Sequence, residues 1–174
     1  MAWVLFDMGG GVTVTAAVPA AAWRELFAGV FAGPGLNSGG RVGPFDEDAD
    51  YRKYVDGRQR EDGVASFLES RGIRIPAGSP ADGADVWSVH GLGARKNDLF
   101  LDSVSRDGVR AYPGSAALLN RLRAGGVRVG LVTASRNSRA LLAAVKLAAE
   151  FNVVVDGQTA AEKNRTGKQD PAMF

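Results

Sequence analysis

The stretch VLFDMGGGVTVT, Val4–Thr15, runs an apolar segment into an aspartate and then into Gly9, Gly10 and Gly11. Either the glycines cradle a phosphate, or Asp7 is a carboxylate presented at the end of a strand. A dinucleotide fingerprint needs Gly-x-Gly-x-x-Gly opening a helix, and the third glycine is absent here, since after Gly9-x-Gly11 the two residues Val12 and Thr13 are followed by Val14. A phosphate loop ending in Gly-Lys-Ser or Gly-Lys-Thr fails as well. The segment TGKQ, Thr166–Gln169, lacks both the metal-binding hydroxyl and the upstream glycine. The carboxylate reading remains.

Outward from this stretch, Ala2–Phe6 is an unbroken apolar run, expected to be a strand buried on both faces. Ala16–Phe31 predicts a helix with Trp23, Leu26, Phe27 and Val30 on one face, and Gly33–Pro44 predicts a loop. From Asp46 to Asp107 the pattern is charged and expected to be helical throughout, in DEDADYRKYV (46–55), REDGVASFLESRG ending at Gly72 and RKNDLFLDSVSRDG ending at Gly108. Pro113 and Gly114 open a further helix that Gly125 and Gly126 stop. Val127–Thr133 predicts a second strand, Arg136–Phe151 a helix and Asn152–Gly157 a third strand. Strand, helix, strand, helix, strand gives a parallel α/β sheet with a helical insertion after strand one. The expected division is 1–15 with 108–174 as the α/β core and 16–107 as the inserted module with its hinges.

Composition narrows the chemistry. The chain of 174 residues has no cysteine and one histidine, His90, so any metal must sit on oxygen ligands, which favours magnesium. Its 21 basic and 19 acidic residues are interspersed, and a block that would track a nucleic-acid backbone is missing. No apolar run is long enough for a membrane span and no signal-like leader is visible, so a cytoplasmic location is expected.

In an open α/β sheet, ligands bind at the carboxyl ends of the strands. Asp7 follows strand one, Thr133 follows strand two, and Lys168 lies beyond strand three. A carboxylate nucleophile, a hydroxyl donor and a lysine suit attack on a phosphoryl group. Singly, Asp7 also suits a turn cap, Thr133 a helix cap and Lys168 a solvated charge.

Taken together with AAAWRELF, YRKYVDGRQREDGV, VHGLGARKNDLF, YPGSAALL, LVTASRN and GKQDPAMF, the chain resembles the haloacid dehalogenase superfamily, in its β-phosphoglucomutase-like branch. The resemblance implies a Rossmann-like core with a helical cap and a magnesium-dependent phosphosugar mutase or phosphatase. Asp7 would then be the nucleophile that becomes an aspartyl phosphate, Thr133 the second-motif hydroxyl and Lys168 the lysine bridging nucleophile and phosphate. Arg60 and Lys96 match cap positions that grip the substrate's phosphate or reach the active site. Ser135, Arg136 and Asn137 match the loop for the non-transferring phosphate, and Thr15 and Trp23 stand where the cap hinge begins. Magnesium would rest on Asp7 and the backbone carbonyl of Gly9.

Departures from the pattern are specific. Gly9 replaces the second aspartate, the general acid and base, whose loss costs about 10²- to 10⁴-fold in rate. Gly11 and Val14 replace a larger apolar residue and an aspartate, Pro19 replaces a cap histidine, and three consecutive glycines are expected to loosen the loop. The acidic fourth motif would lie after Phe174. Strand one would then have an unpaired edge, prone to self-association. Impaired catalysis is therefore expected, and the competing expectation is a catalytically silent phosphosugar-binding or interaction module, or the remnant of a truncated gene.

Overall fold

The computed structural model describes residues 2–14, 17–33, 43–163, 165, 168 and 171. The chain divides into two compact units, one of Met1–Ala16, Gly57–Gln59 and Val109–Phe174, the other of Ala17–Asp56 and Arg60–Gly108.

The first unit carries a three-stranded parallel sheet in the order β1-β2-β3, with β1 at Trp3–Asp7, β2 at Arg128–Val132 and β3 at Val153–Val155. Trp3 pairs with Arg128 and Asp7 with Val132, while Val132 pairs in turn with Val155. The central strand is the most deeply buried, with Val129 and Leu131 inaccessible. β1 departs from the expectation of burial on both faces, because Trp3 and Leu5 are 46% and 45% exposed. The reason is its place at the sheet edge, where alternate side chains Trp3, Leu5 and Asp7 share a face that the described residues leave open. Gly130 lies between Leu5 and Val153 on the two neighbouring strands. A Cβ there would come within 2.7 Å of Leu5 Cδ2 and 3.0 Å of Val153 Cγ1.

Helices of this unit are α4 (Pro113–Ala124), α5 (Ser138–Ala144) and α6 (Gly157–Glu162). α4 begins at Pro113, whose fixed φ suits the first helical position. Its end is a Schellman closure, with Gly126 at φ 71° donating to Arg123 O at 2.9 Å and Val127 N donating to Leu122 O at 2.9 Å. α5 stops far short of the expected Phe151 by the same device. Lys146 takes φ 58°, its N–H donates to Ala143 O at 3.0 Å and Leu147 N donates to Leu142 O at 2.9 Å. After this stop only a 3₁₀ turn, Ala148–Glu150, precedes β3. α6 went unread in the sequence. It packs Ala160 with Val132 and Val155.

The second unit is helical, with α1 at Ala17–Ala32, a π-helical turn at Tyr51–Val55, α2 at Arg60–Ser70 and α3 at Val89–Asp107. The expected face of α1 is buried, with Trp23, Leu26, Phe27 and Val30 at 5%, 0%, 0% and 1% exposure. Each such side chain contributes about 2 kcal/mol of hydrophobic stabilisation. Phe27 and Phe67 anchor the cluster with ring centroids 4.1 Å apart, and Phe45 meets Phe67 edge-on at 5.0 Å. The expectation of helix throughout 46–107 fails between α2 and α3. Gly72, at φ 72°, closes α2, and Ser88 starts α3 by accepting from Gly91 N at 3.0 Å. Between them Gly78 and the Asp82 carboxylate, which accepts from Ser79 N and Ser88 Oγ, build a turn-rich segment. No described helix is long and apolar enough to cross a membrane.

Candidate active site at the carboxyl ends of the strands

Because β1, β2 and β3 are parallel and in register, their last residues lie side by side about 4.8 Å apart per strand. Asp7 ends β1, Thr133 is the residue after β2, and Asp156 is the residue after β3. Asp7 is half exposed at 51%, and its Oδ1 receives both the Met8 N–H at 2.6 Å and an ion pair from Lys168 Nζ. Its Oδ2 carries no hydrogen bond among the described residues. One oxygen is thus oriented and its charge offset. That arrangement suits nucleophilic attack by a carboxylate.

The glycines after Asp7 lie in a hydrogen-bonded loop. Val12 N and Thr13 N both donate to Met8 O, at 3.0 and 2.9 Å, as does the buried Thr13 hydroxyl at 3.2 Å. Gly10 N closes the ring on Thr13 O at 3.3 Å. The segment before α4 ties the loop down, with Tyr112 N donating to Val12 O and the Ser115 hydroxyl to Gly11 O. The three glycines have three different explanations. Gly10 sits at φ 79°; at Gly11 a Cβ would lie 2.3 Å from Asp7 O; at Gly9 a Cβ would meet nothing within 4 Å. The larger residue expected at position 11 is therefore excluded by the approach of the backbone that aims Asp7.

Thr133 is 5% exposed, with its N–H on Val155 O at 2.9 Å and its hydroxyl accepting from Ser135 N at 3.2 Å. Ser135 Oγ in turn accepts from Asn137 N at 3.2 Å, and the Arg136 guanidinium reaches Gln59 Oε1 at 3.5 Å. Asp156, to which the sequence reading gave no role, is fully buried. Its burial opposes ionisation, yet hydrogen bonds from the Thr159 backbone and from the Ser138 and Thr159 hydroxyls, with the Arg139 charge, hold its carboxyl below the usual value. The available signal was an acidic residue straight after an apolar run with threonine three positions on, a helix N-cap pattern.

The second unit gathers its own group. Arg60 donates to Asn97 Oδ1 at 2.9 Å, and the Lys96 amine lies over the Trp23 and Phe100 rings at 5.3 and 4.9 Å. Trp23 is a packing residue of the apolar core, stacked on Phe27, as well as the floor beneath this amine. Burial, with the Arg60 charge, pushes the Lys96 pKa down to about 7. Thr15 lies outside the described residues.

For magnesium, the described residues supply Asp7 and the Gly9 carbonyl, and no group of three histidine or carboxylate side chains comes together among them. Asp7 is already paired with Lys168. A magnesium site usually takes one or two carboxylates plus phosphate and water, so this donor set does not by itself fit the ion.

Comparison with known proteins bears on the whole chain. Residues 1–174 match the family model described as haloacid dehalogenase-like hydrolase. A β-phosphoglucomutase of Mycobacterium bovis is 42% identical over 170 residues, covering 98% of this chain and 65% of the relative. The chain thus spans less than two thirds of that relative's length. Among solved structures, a β-phosphoglucomutase (pgmB) of Clostridium difficile matches with TM-score 0.72 at 21% identity, over 99% of this chain and 67% of that one. CbbY of Rhodobacter sphaeroides, in complex with xylulose-(1,5)bisphosphate, matches with TM-score 0.68 at 21% identity over 98% and 68%. At these identities the solved structures speak for the fold.

Two predictions follow from this geometry. Gly11→Ala is expected to cost about 2 kcal/mol of stability by forcing Asp7 O aside, whereas Gly9→Ala changes it by less than about 0.5 kcal/mol; urea denaturation of both variants checks the contrast. Lys96 has a folded pKa near 7 against an ordinary 10.5, so between these values the unfolded chain holds a proton the folded chain lacks, and stability rises with pH. Below pH 7 the cost of the charged amine is fully present. Lys96→Met should therefore exceed wild type in stability at pH 6, by about 1 kcal/mol or more, with the advantage shrinking as pH rises through 7 towards 10.5.

Proposed function

The chain belongs to the haloacid dehalogenase-like hydrolase family, and from that premise we propose that it acts on phosphorylated sugars as a mutase- or phosphatase-type enzyme of impaired activity. The observation that carries this reading is the Asp7 carboxylate, paired with Lys168 at the strand ends beside Thr133. Asp7 Oδ2 attacks phosphorus, the ester oxygen leaves with its electron pair, and an aspartyl phosphate forms. Lys168 offsets charge on the transferring group, and the Thr133 hydroxyl donates to a phosphoryl oxygen. Water or a second sugar hydroxyl then takes the phosphoryl group and returns Asp7 to its carboxylate.

Ser135, Arg136 and Asn137 in the first unit, and Arg60 and Lys96 in the second, are the residues proposed to recognise phosphate or sugar groups. A cytoplasmic setting belongs to the same reading; magnesium, which the family resemblance implies, is not supplied a fitting site by the described residues of this chain. Gly9 has no side chain to protonate the leaving oxygen, so that proton comes from solvent and the rate suffers by about 10²-fold or more.

Gly9 and the short donor set also favour a second reading, a catalytically silent module that binds a phosphosugar. Incubation with β-glucose 1-phosphate and Mg²⁺ separates the two. Slow turnover that Asp7→Asn abolishes supports the enzyme; equal background rates in both proteins reject it. Saturable calorimetric heat with the same sugar phosphate, lost in Arg60→Ala, then supports the binding module.

Among the described residues one edge of β1 has no strand partner, with Trp3 and Leu5 exposed on the strand, and this edge is proposed to pair with β1 of a second copy. Sedimentation equilibrium should show concentration-dependent self-association that Leu5→Lys, a charge on that face, reduces by about tenfold in affinity. A wild-type chain that remains monomeric across the concentration range rejects this pairing.

A further inference from the structure

The most deeply buried carboxylate described in the first unit is not Asp7 but Asp156, which the reaction above leaves unused. Its oxygens receive the Ser138 hydroxyl at 2.9 Å, Arg139 Nε at 3.3 Å, and the Thr159 N–H and hydroxyl, both at 2.9 Å. Ser138 opens α5 directly after the segment Thr133–Asn137, and Thr159 lies in the first turn of α6. A buried charge with this many donors is costly to disturb, because removing it leaves several groups without partners.

The residues either side of Asp156 hold the same segment from below. Val155 O accepts from Thr133 N at 2.9 Å, and Gly157 N donates to Ser135 O at 3.1 Å. Contact at Gly157 is close enough that a Cβ would lie 2.3 Å from Ala134 O. Residues 155–157 therefore touch Thr133, Ala134, Ser135 and Ser138. Within the segment, the Thr133 hydroxyl accepts from Ser135 N at 3.2 Å, which leaves its own proton to be donated elsewhere.

We infer that Asp156 is a positioning residue: with Gly157 it fixes the Thr133–Asn137 loop so that the Thr133 hydroxyl is held ready to donate to a phosphoryl oxygen. The inference rests on the reading of Thr133 as a phosphate-facing donor. Asp156 itself touches no substrate. A purely local role as the N-cap of α6 would leave the loop indifferent to its loss, and that difference is measurable.

The test compares wild type, Asp156→Ala, Asp156→Asn and Gly157→Ala in the full chain by amide hydrogen exchange and by calorimetric binding of inorganic phosphate. Asp156→Ala and Gly157→Ala should each speed exchange at Ser135 and Asn137 by about tenfold or more, while Val129 and Leu131 in β2 keep their protection. Asp156→Asn retains acceptors for the cap and should restore most of that protection. Phosphate affinity should fall about tenfold in Asp156→Ala, and Thr133→Ala added to it should cost little more, the non-additivity expected of two residues acting as one unit. Unchanged exchange at Ser135 and Asn137, or a uniform acceleration that includes β2, overturns the inference. Failure of wild type to bind phosphate overturns instead the reading of Thr133, and the exchange pattern still decides whether Asp156 positions the loop.

Discussion

Register in the parallel ladder is the constraint on which the site depends. Asp7, Val132 and Val155 are paired across three strands, so the residues that end or follow those strands emerge on one rim whatever else the chain does. Side-chain direction alternates along each strand, and a slip of one residue would turn Asp7 to the opposite face. Gly130 helps hold the register, since it admits Leu5 and Val153 over the middle of β2.

Within that frame the loop after Asp7 shows why similar glycines are not equivalent. Gly10 supplies a left-handed turn and Gly11 a close backbone approach, both of which aim the carboxylate. Gly9 does neither, and its surroundings are open enough to admit a side chain. The structural demands on this tripeptide thus fall on Gly10 and Gly11, and none falls on Gly9.

Electrostatics in the helical unit follow from packing. The aromatic cluster around Phe27 and Phe67 brings Trp23 to the Lys96 amine, Phe100 meets the same amine from α3, and α2 brings Arg60 near it. Ring faces attract the ammonium, but desolvation and the neighbouring guanidinium work against its charge. The second pair of effects prevails, leaving an amine that titrates near neutrality on a helix whose position the apolar core fixes.

Local signals were legible wherever one residue type forces one backbone shape. Pro113, Gly72, Gly108 and Gly126 marked helix ends, the three- and four-residue spacing of Trp23, Leu26, Phe27 and Val30 marked a buried face, and the motifs marked Asp7, Thr133 and Lys168 as candidates. Lys146 closes α5 with the same hydrogen bonds that glycine supplies elsewhere, and a lysine announces no such turn. The exposure of β1, the closed glycine loop and the buried partners of Asp156 were equally out of reach. Composition and periodicity encode what a residue prefers in its own stretch of chain; which strand lies at an edge, and which hydroxyls converge on a carboxylate 18 residues away, are settled only when distant segments compete for the same space and the same hydrogen bonds.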